Sequence, residues 1–79
     1  MEYIAHRINT IKELLKISKE YGVEVDVRDF DENLILNHDP FKSGEIFEDY
    51  LKHYDHGTLI LNVKSERIEY KILELLEKY

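Results

Sequence analysis

The sequence predicts an α/β chain: about three β/α units, the opening part of a larger barrel or sheet, with a β-hairpin after the second strand. Three observations carry this. Stretches of period two or of unbroken apolar character alternate with stretches of helical period, an order that favours a parallel sheet. Residues 58–63, Thr-Leu-Ile-Leu-Asn-Val, form the kind of apolar run found in strands buried on both faces. A sheet of only three parallel strands leaves two open edges, so residues 1–79 read as a single domain that is the N-terminal portion of a larger architecture.

Each element has its own signal. Residues 3–5 (Tyr-Ile-Ala) are a short apolar run, read as the first strand. Thr10-Ile11-Lys12-Glu13 has the T-x-x-E spacing of a capping box, and Ile11, Leu14, Leu15 and Ser18/Tyr21 follow at helical spacing, so a helix is expected to about Tyr21 with Gly22 as its left-handed stop. Residues 23–28 (Val-Glu-Val-Asp-Val-Arg) alternate strictly, which makes a strand. A turn at Asp31-Glu32-Asn33, with Asn33 at positive φ, leads to a second extended run over residues 34–38. A three-residue loop would pair Phe30 with Leu34, Arg28 with Leu36 and Asp26 with His38. Pro40 ends the pairing because it has no N–H to donate. Ser43 is the expected cap of a second helix whose stripe is Ile46, Phe47, Tyr50, Leu51 and Tyr54, ending at Gly57. Residues 58–63 are the third main strand, and Ser65 is the expected cap of a last helix striped by Ile68, Ile72, Leu75, Leu76 and Tyr79.

Composition narrows the class. The chain is 43% apolar and 11% aromatic, enough for a modest core, and its formal net charge of −6 with no basic stripe argues against nucleic acid as the main partner. It has no cysteine, so neither a disulfide framework nor a thiolate metal site is available, and a reducing, cytoplasmic location is the expectation. No apolar run approaches the ~20 residues of a membrane span. Met1-Glu2-Tyr3-Ile4 lacks the basic region and long apolar stretch of a secretory signal.

Polar residues gather near the C-terminal ends of the expected strands, where α/β sheets and barrels place their sites. His6 and Arg7 follow the first strand. Glu24 and Asp26 lie two apart on the second and share a face; Asn62 and Lys64 do the same on the third. His38 falls opposite Asp26 in the expected hairpin register. Paired carboxylates with further oxygen donors suit a hard cation, Ca²⁺ or Mg²⁺. Two histidines supply a general base and acid, and Arg7 with Lys64 offers positive charge to a phosphoryl group. Those parts together describe cleavage of a phosphodiester.

Ala5-His6-Arg7, Glu24-Val25-Asp26-Val27-Arg28, Leu36-Asn37-His38-Asp39-Pro40 and Leu61-Asn62-Val63-Lys64 occur in this order over nearly the whole chain. The set resembles the first part of a glycerophosphodiester phosphodiesterase and, more broadly, the superfamily that includes phosphatidylinositol-specific phospholipase C. Asn9-Thr10 is similar to the Asn-Thr pair that opens the family's first helix. The resemblance implies a partial TIM-like barrel and metal-dependent hydrolysis of a small phosphodiester by the intact protein. It implies His6 and His38 as the acid/base pair, Glu24, Asp26 and Asn62 as metal ligands, and Arg7 and Lys64 as phosphate contacts. Ile8 stands where the family has glycine, and Asn62 where it has a third acidic ligand.

The alternative is a non-catalytic, degenerate barrel fragment that self-associates through its open sheet edges or binds a partner. His53 and His56 flank Asp55 and read as a solvated helix end before Gly57. Tyr50, Tyr54 and Tyr70 read as core or interface residues.

Overall fold

The computed structural model describes residues 3–40 and 42–79; Met1 and Glu2, half of the opening stretch that lacks a basic region, lie outside it. The elements run β1 (Ile4–Ala5), α1 (Ile11–Leu14), β2 (Gly22–Phe30), β3 (Asn33–Leu36), β4 (Glu45–Ile46), α2 (Phe47–Leu51), β5 (Leu59–Val63) and α3 (Glu69–Leu76).

They build a five-stranded mixed sheet, not the parallel opening of a TIM-like barrel that the alternation predicts. β2 runs parallel to β1 and to β5, but β3 returns antiparallel along it and β4 pairs antiparallel with β3. The helices span four, five and eight residues, so the sheet dominates. All three helices lie on one face. Val23, Val25, Val27 and Leu36 meet Leu14 of α1, Phe47, Tyr50 and Leu51 of α2, and Ile68 and Ile72 beside and within α3. The alternation along β2 explains this: its valines enter the core while Glu24, Asp26 and Arg28 point to the other face, which no helix covers.

Several boundaries differ from the sequence reading for identifiable reasons. α1 stops at Leu14 because the next amides bond to i−3 carbonyls, Lys16 N to Glu13 O and Ile17 N to Leu14 O, tightening the chain into turns. Gly22 is the first residue of β2 rather than a helix stop, and no glycine among the described residues takes positive φ. The Thr10 cap is present: its hydroxyl oxygen accepts the Glu13 amide at 3.1 Å, and the Ile11 amide is met at 2.7 Å by the Glu45 carboxylate. Glu45 and Ile46 are strand, so α2 starts at Phe47 without a Ser43 cap. Gly44 lies against β3, where a Cβ would run into the Leu36 carbonyl. Ser65 accepts the Asp29 amide instead of capping α3, which begins after Arg67 turns the chain at φ 62°.

The hairpin differs most. Asp31 and Glu32 both take positive φ, 54° and 69°, in a two-residue turn with the φ pattern of type I′. Phe30 therefore pairs with Asn33, Arg28 with Ile35 and Val27 with Leu36, one residue away from the expected register.

Candidate functional site on the uncovered face of the sheet

Asp26 is the centre of the uncovered face. It lies in the middle of β2, is only 1% exposed and is the one buried charged residue among the described residues. The parallel register sets Asp26 beside Asn62 of β5. The Asn62 amide nitrogen donates to Asp26 Oδ1 at 3.3 Å, and Lys64 Nζ stands 3.9 Å from the same oxygen. Asp26 Oδ2 accepts from the Asn9 amide nitrogen at 3.0 Å, while Asn9 Oδ1 accepts the Asp26 backbone N–H at 2.8 Å.

Asn9 has a topological reason to be there. Both β1 and β3 use the same edge of β2: the Gly22 amide donates to Tyr3 O, and Glu24 O accepts from Ile8 N, whereas Asp26 O accepts from Asn37 N. Between the end of the β1 segment and the start of the hairpin, the Asp26 N–H has no backbone partner. The Asn9 side chain supplies one. Sequence reasoning gave Asn9 no place in the site; a polar side chain two residues before a helix reads as a helix start.

One rung earlier, His6 Nδ1 lies 3.3 Å from Glu24 Oε1, with His6 exposed and Glu24 half-buried. Arg7 follows at φ 53° and is exposed, so the left-handed residue of this loop is the arginine and not Ile8 after it. Thus His6, Glu24, Asp26, Asn62 and Lys64 come together along adjacent parallel strands.

His38 does not join them. The hairpin register places Asn37 across from Asp26, and a shift of one residue moves every side chain to the opposite face. His38 Nδ1 is 3.5 Å from Asp39 Oδ1, and Arg28 fixes this corner by donating Nε to Asn37 O at 3.1 Å and Nη2 to His38 O at 2.7 Å. The hydrogen bond from His38, with Lys42 beside it, holds the Asp39 carboxyl below its ordinary value. Asn37 braces the same loop, donating to Ser43 O and accepting the Asp39 amide.

The donor set does not fit a divalent cation as it stands. Both Asp26 oxygens face amide N–H donors, with an ammonium group beside one of them, so this carboxylate is already compensated. Asn62 presents its nitrogen to Asp26 rather than its carbonyl oxygen to a shared centre. Among the described residues, no three His, Cys, Asp or Glu side chains converge to hold a metal.

Away from this face, a concavity of about 230 Å³ lies between the hairpin and α3; Leu34, Ile46, Lys71, Glu74 and Lys78 are among its lining residues. None of the candidate residues reaches it. His56 is not a solvated helix end: its buried ring donates from Nε2 to Ile17 O at 2.9 Å and packs against Tyr54. No described helix is long and apolar enough to cross a membrane.

The chain matches no family model, no curated protein and no solved structure.

Proposed function

We propose that this face meets a small phosphodiester and that the intact protein cleaves it, sharing the substrate class of the glycerophosphodiester phosphodiesterases its motifs resemble but not the metal and paired histidines which that resemblance implies. The observation that carries the reading is the alignment of His6–Glu24 and Lys64–Asp26 on neighbouring strands. Glu24 orients an exposed imidazole, which is the arrangement a proton-transfer group needs. Lys64 Nζ, 3.9 Å from the Asp26 carboxylate, brings a positive charge to the same face. Arg7 adds a second cation from the neighbouring loop. In this reading a neighbouring hydroxyl of the substrate attacks phosphorus and gives its proton to His6, which passes it to the departing alcohol oxygen as the P–O ester bond breaks and a cyclic phosphate forms. Lys64 and Arg7 receive the phosphate, and Asp26 positions Lys64. Every one of these steps uses a side chain of this chain, and none passes through a metal ion. His38 enters the chemistry only if the loop held by Arg28 reorients.

The test is an amide chemical-shift titration of the chain with sn-glycero-3-phosphocholine, in wild type and in Lys64→Met. Saturable shifts at His6, Asn62 and Lys64 are expected in the wild type, reduced at least tenfold in affinity by the substitution. A titration that moves none of these amides removes the phosphodiester reading.

A second reading is a non-catalytic module that assembles with itself or a partner. It is favoured by one observation: among the described residues no strand pairs with the outer edge of β5.

A further inference from the structure

One buried side-chain polar atom among the described residues has no hydrogen-bond partner: Nδ1 of His56. This side chain is 2% exposed and lies in the segment between α2 and β5. Its other nitrogen, Nε2, donates to Ile17 O, so the single proton of the neutral ring is on Nε2 and Nδ1 carries a lone pair. The atom set against Nδ1 is a further acceptor, Asp55 Oδ1, 3.6 Å away. A neutral ring therefore turns a buried lone pair toward a carboxylate.

An acceptor at each ring nitrogen suits the doubly protonated form. An imidazolium donates from both nitrogens. Nε2–H keeps Ile17 O, and Nδ1–H makes a charge-assisted hydrogen bond with Asp55 once that carboxylate moves in by less than about 1 Å. Asp55 has the room to do so. Its side chain is 58% exposed, and the oxygen that pairs with Lys19 is Oδ2, which leaves Oδ1 for the ring. The hydrogen bond from Lys19 holds the Asp55 carboxyl below its ordinary value, so Asp55 is an anion at mildly acid pH. Tyr54, packed on the imidazole with ring centroids 5.4 Å apart, donates its hydroxyl to Gly57 O and brings a ring rather than a charge. Burial opposes a charged ring, and the carbonyl and carboxylate at its two nitrogens offset that cost.

The ring joins segments distant in sequence. Ile17 and Lys19 lie between α1 and β2, and Asp55 and His56 between α2 and β5. Next to it the Gly57 amide donates to Tyr21 O and the Val23 amide to Thr58 O, both at 2.8 Å, where the β2–β5 ladder begins. His56 thus sits at the base of the two strands that bring Asp26 beside Asn62.

We infer that His56 is a proton-operated clasp: proton uptake at Nδ1 joins it to Asp55 and tightens the base of the β2–β5 ladder. The proton comes from solvent, and no covalent bond other than N–H forms or breaks. Histidine exchanges its proton between about pH 5 and 8, so the clasp closes on acidification through that window and loosens as the pH rises. It works whatever the uncovered face binds.

Amide hydrogen exchange at Gly57 and Val23, corrected for the intrinsic pH dependence of exchange, reads the opening of this base. In the wild-type chain protection at both should rise at least fivefold from pH 8 to pH 5.5. Asp55→Asn keeps the size of the side chain without its charge, and the gain should vanish. Lys19→Met removes the other partner of the same carboxylate, and the gain should remain. Nitrogen chemical shifts of the His56 ring check the wild type directly: Nδ1 bare at pH 8, both nitrogens protonated at pH 5.5. Protection that is unchanged or falls on acidification overturns the clasp. A gain of equal size in Asp55→Asn overturns it as well, because another group is then responsible.

Discussion

Asn9 holds Asp26 by both ends of its amide: its oxygen takes the Asp26 backbone N–H at 2.8 Å, and its nitrogen donates to the Asp26 carboxylate at 3.0 Å. One side chain thereby closes a gap in the sheet and compensates a buried charge. Asn9→Ala leaves the backbone N–H and the Oδ2 oxygen of a buried residue without a partner, and the expected loss is about 3 kcal/mol in urea unfolding. Asn9→Asp keeps an acceptor for the N–H but sets two carboxylates together. Its destabilisation should be relieved as the pH falls from 7 toward 4, the opposite of a loss of packing alone.

Tyr50 ties α2 to the segment beside the site, donating its hydroxyl to Ile8 O at 2.7 Å. Burial, followed by the nearby Tyr54 and Glu13, raises its pKa well above the ordinary 10.0. A group raised in the folded state adds stability that is complete below the unfolded pKa and is lost as the pH climbs through the folded one. Stability should therefore decline from about pH 10 upward. Tyr50→Phe should cost about 1 kcal/mol at pH 7 through the lost hydrogen bond and should flatten that alkaline decline. Denaturant midpoints between pH 7 and 11 measure both. An equally steep decline in the variant assigns the alkaline loss to another group.

The hairpin turn places two non-glycine residues, Asp31 and Glu32, in the left-handed region. A side chain there costs about 1–2 kcal/mol relative to the right-handed region, and less for Asp than for Glu. Changing the pair to Asn-Gly should raise stability by about 1 kcal/mol without altering the β2–β3 register. Urea unfolding gives the gain, and cross-strand contacts between Val27 and Leu36 in NMR check the register.

What the sequence disclosed follows from which signals were local. The alternation over residues 23–28 sorts valines from acids, and the structure divides them between core and uncovered face accordingly. Asp26 and Asn62 were each legible as polar residues of a strand, though the rung that joins them is a long-range pairing. The hairpin register was not legible, because Asp-Glu carries no glycine to announce a type I′ turn; the one-residue error moved His38 out of the site. Asn9 was hidden for a different reason. Its role depends on two strands sharing one edge of β2, a fact of topology rather than of any local pattern. The barrel expectation failed on the same ground, since alternation of strands and helices does not reveal that β3 and β4 would fold back antiparallel.

The Ile11 amide that opens α1 is closed by the carboxylate of Glu45, 34 residues along the chain. A helix of four residues does not persist by itself, since nucleation costs more than so few bonds return. The first helix of the sequence is therefore among the later structures to become secure. As the chain emerges from synthesis, its first third has a cap from Thr10 but lacks its second acceptor until the β4 segment has appeared and docked. The β2–β3 hairpin, whose contacts are close in sequence, is available earlier as a nucleus. Order along the chain and order of assembly run in different directions in this protein.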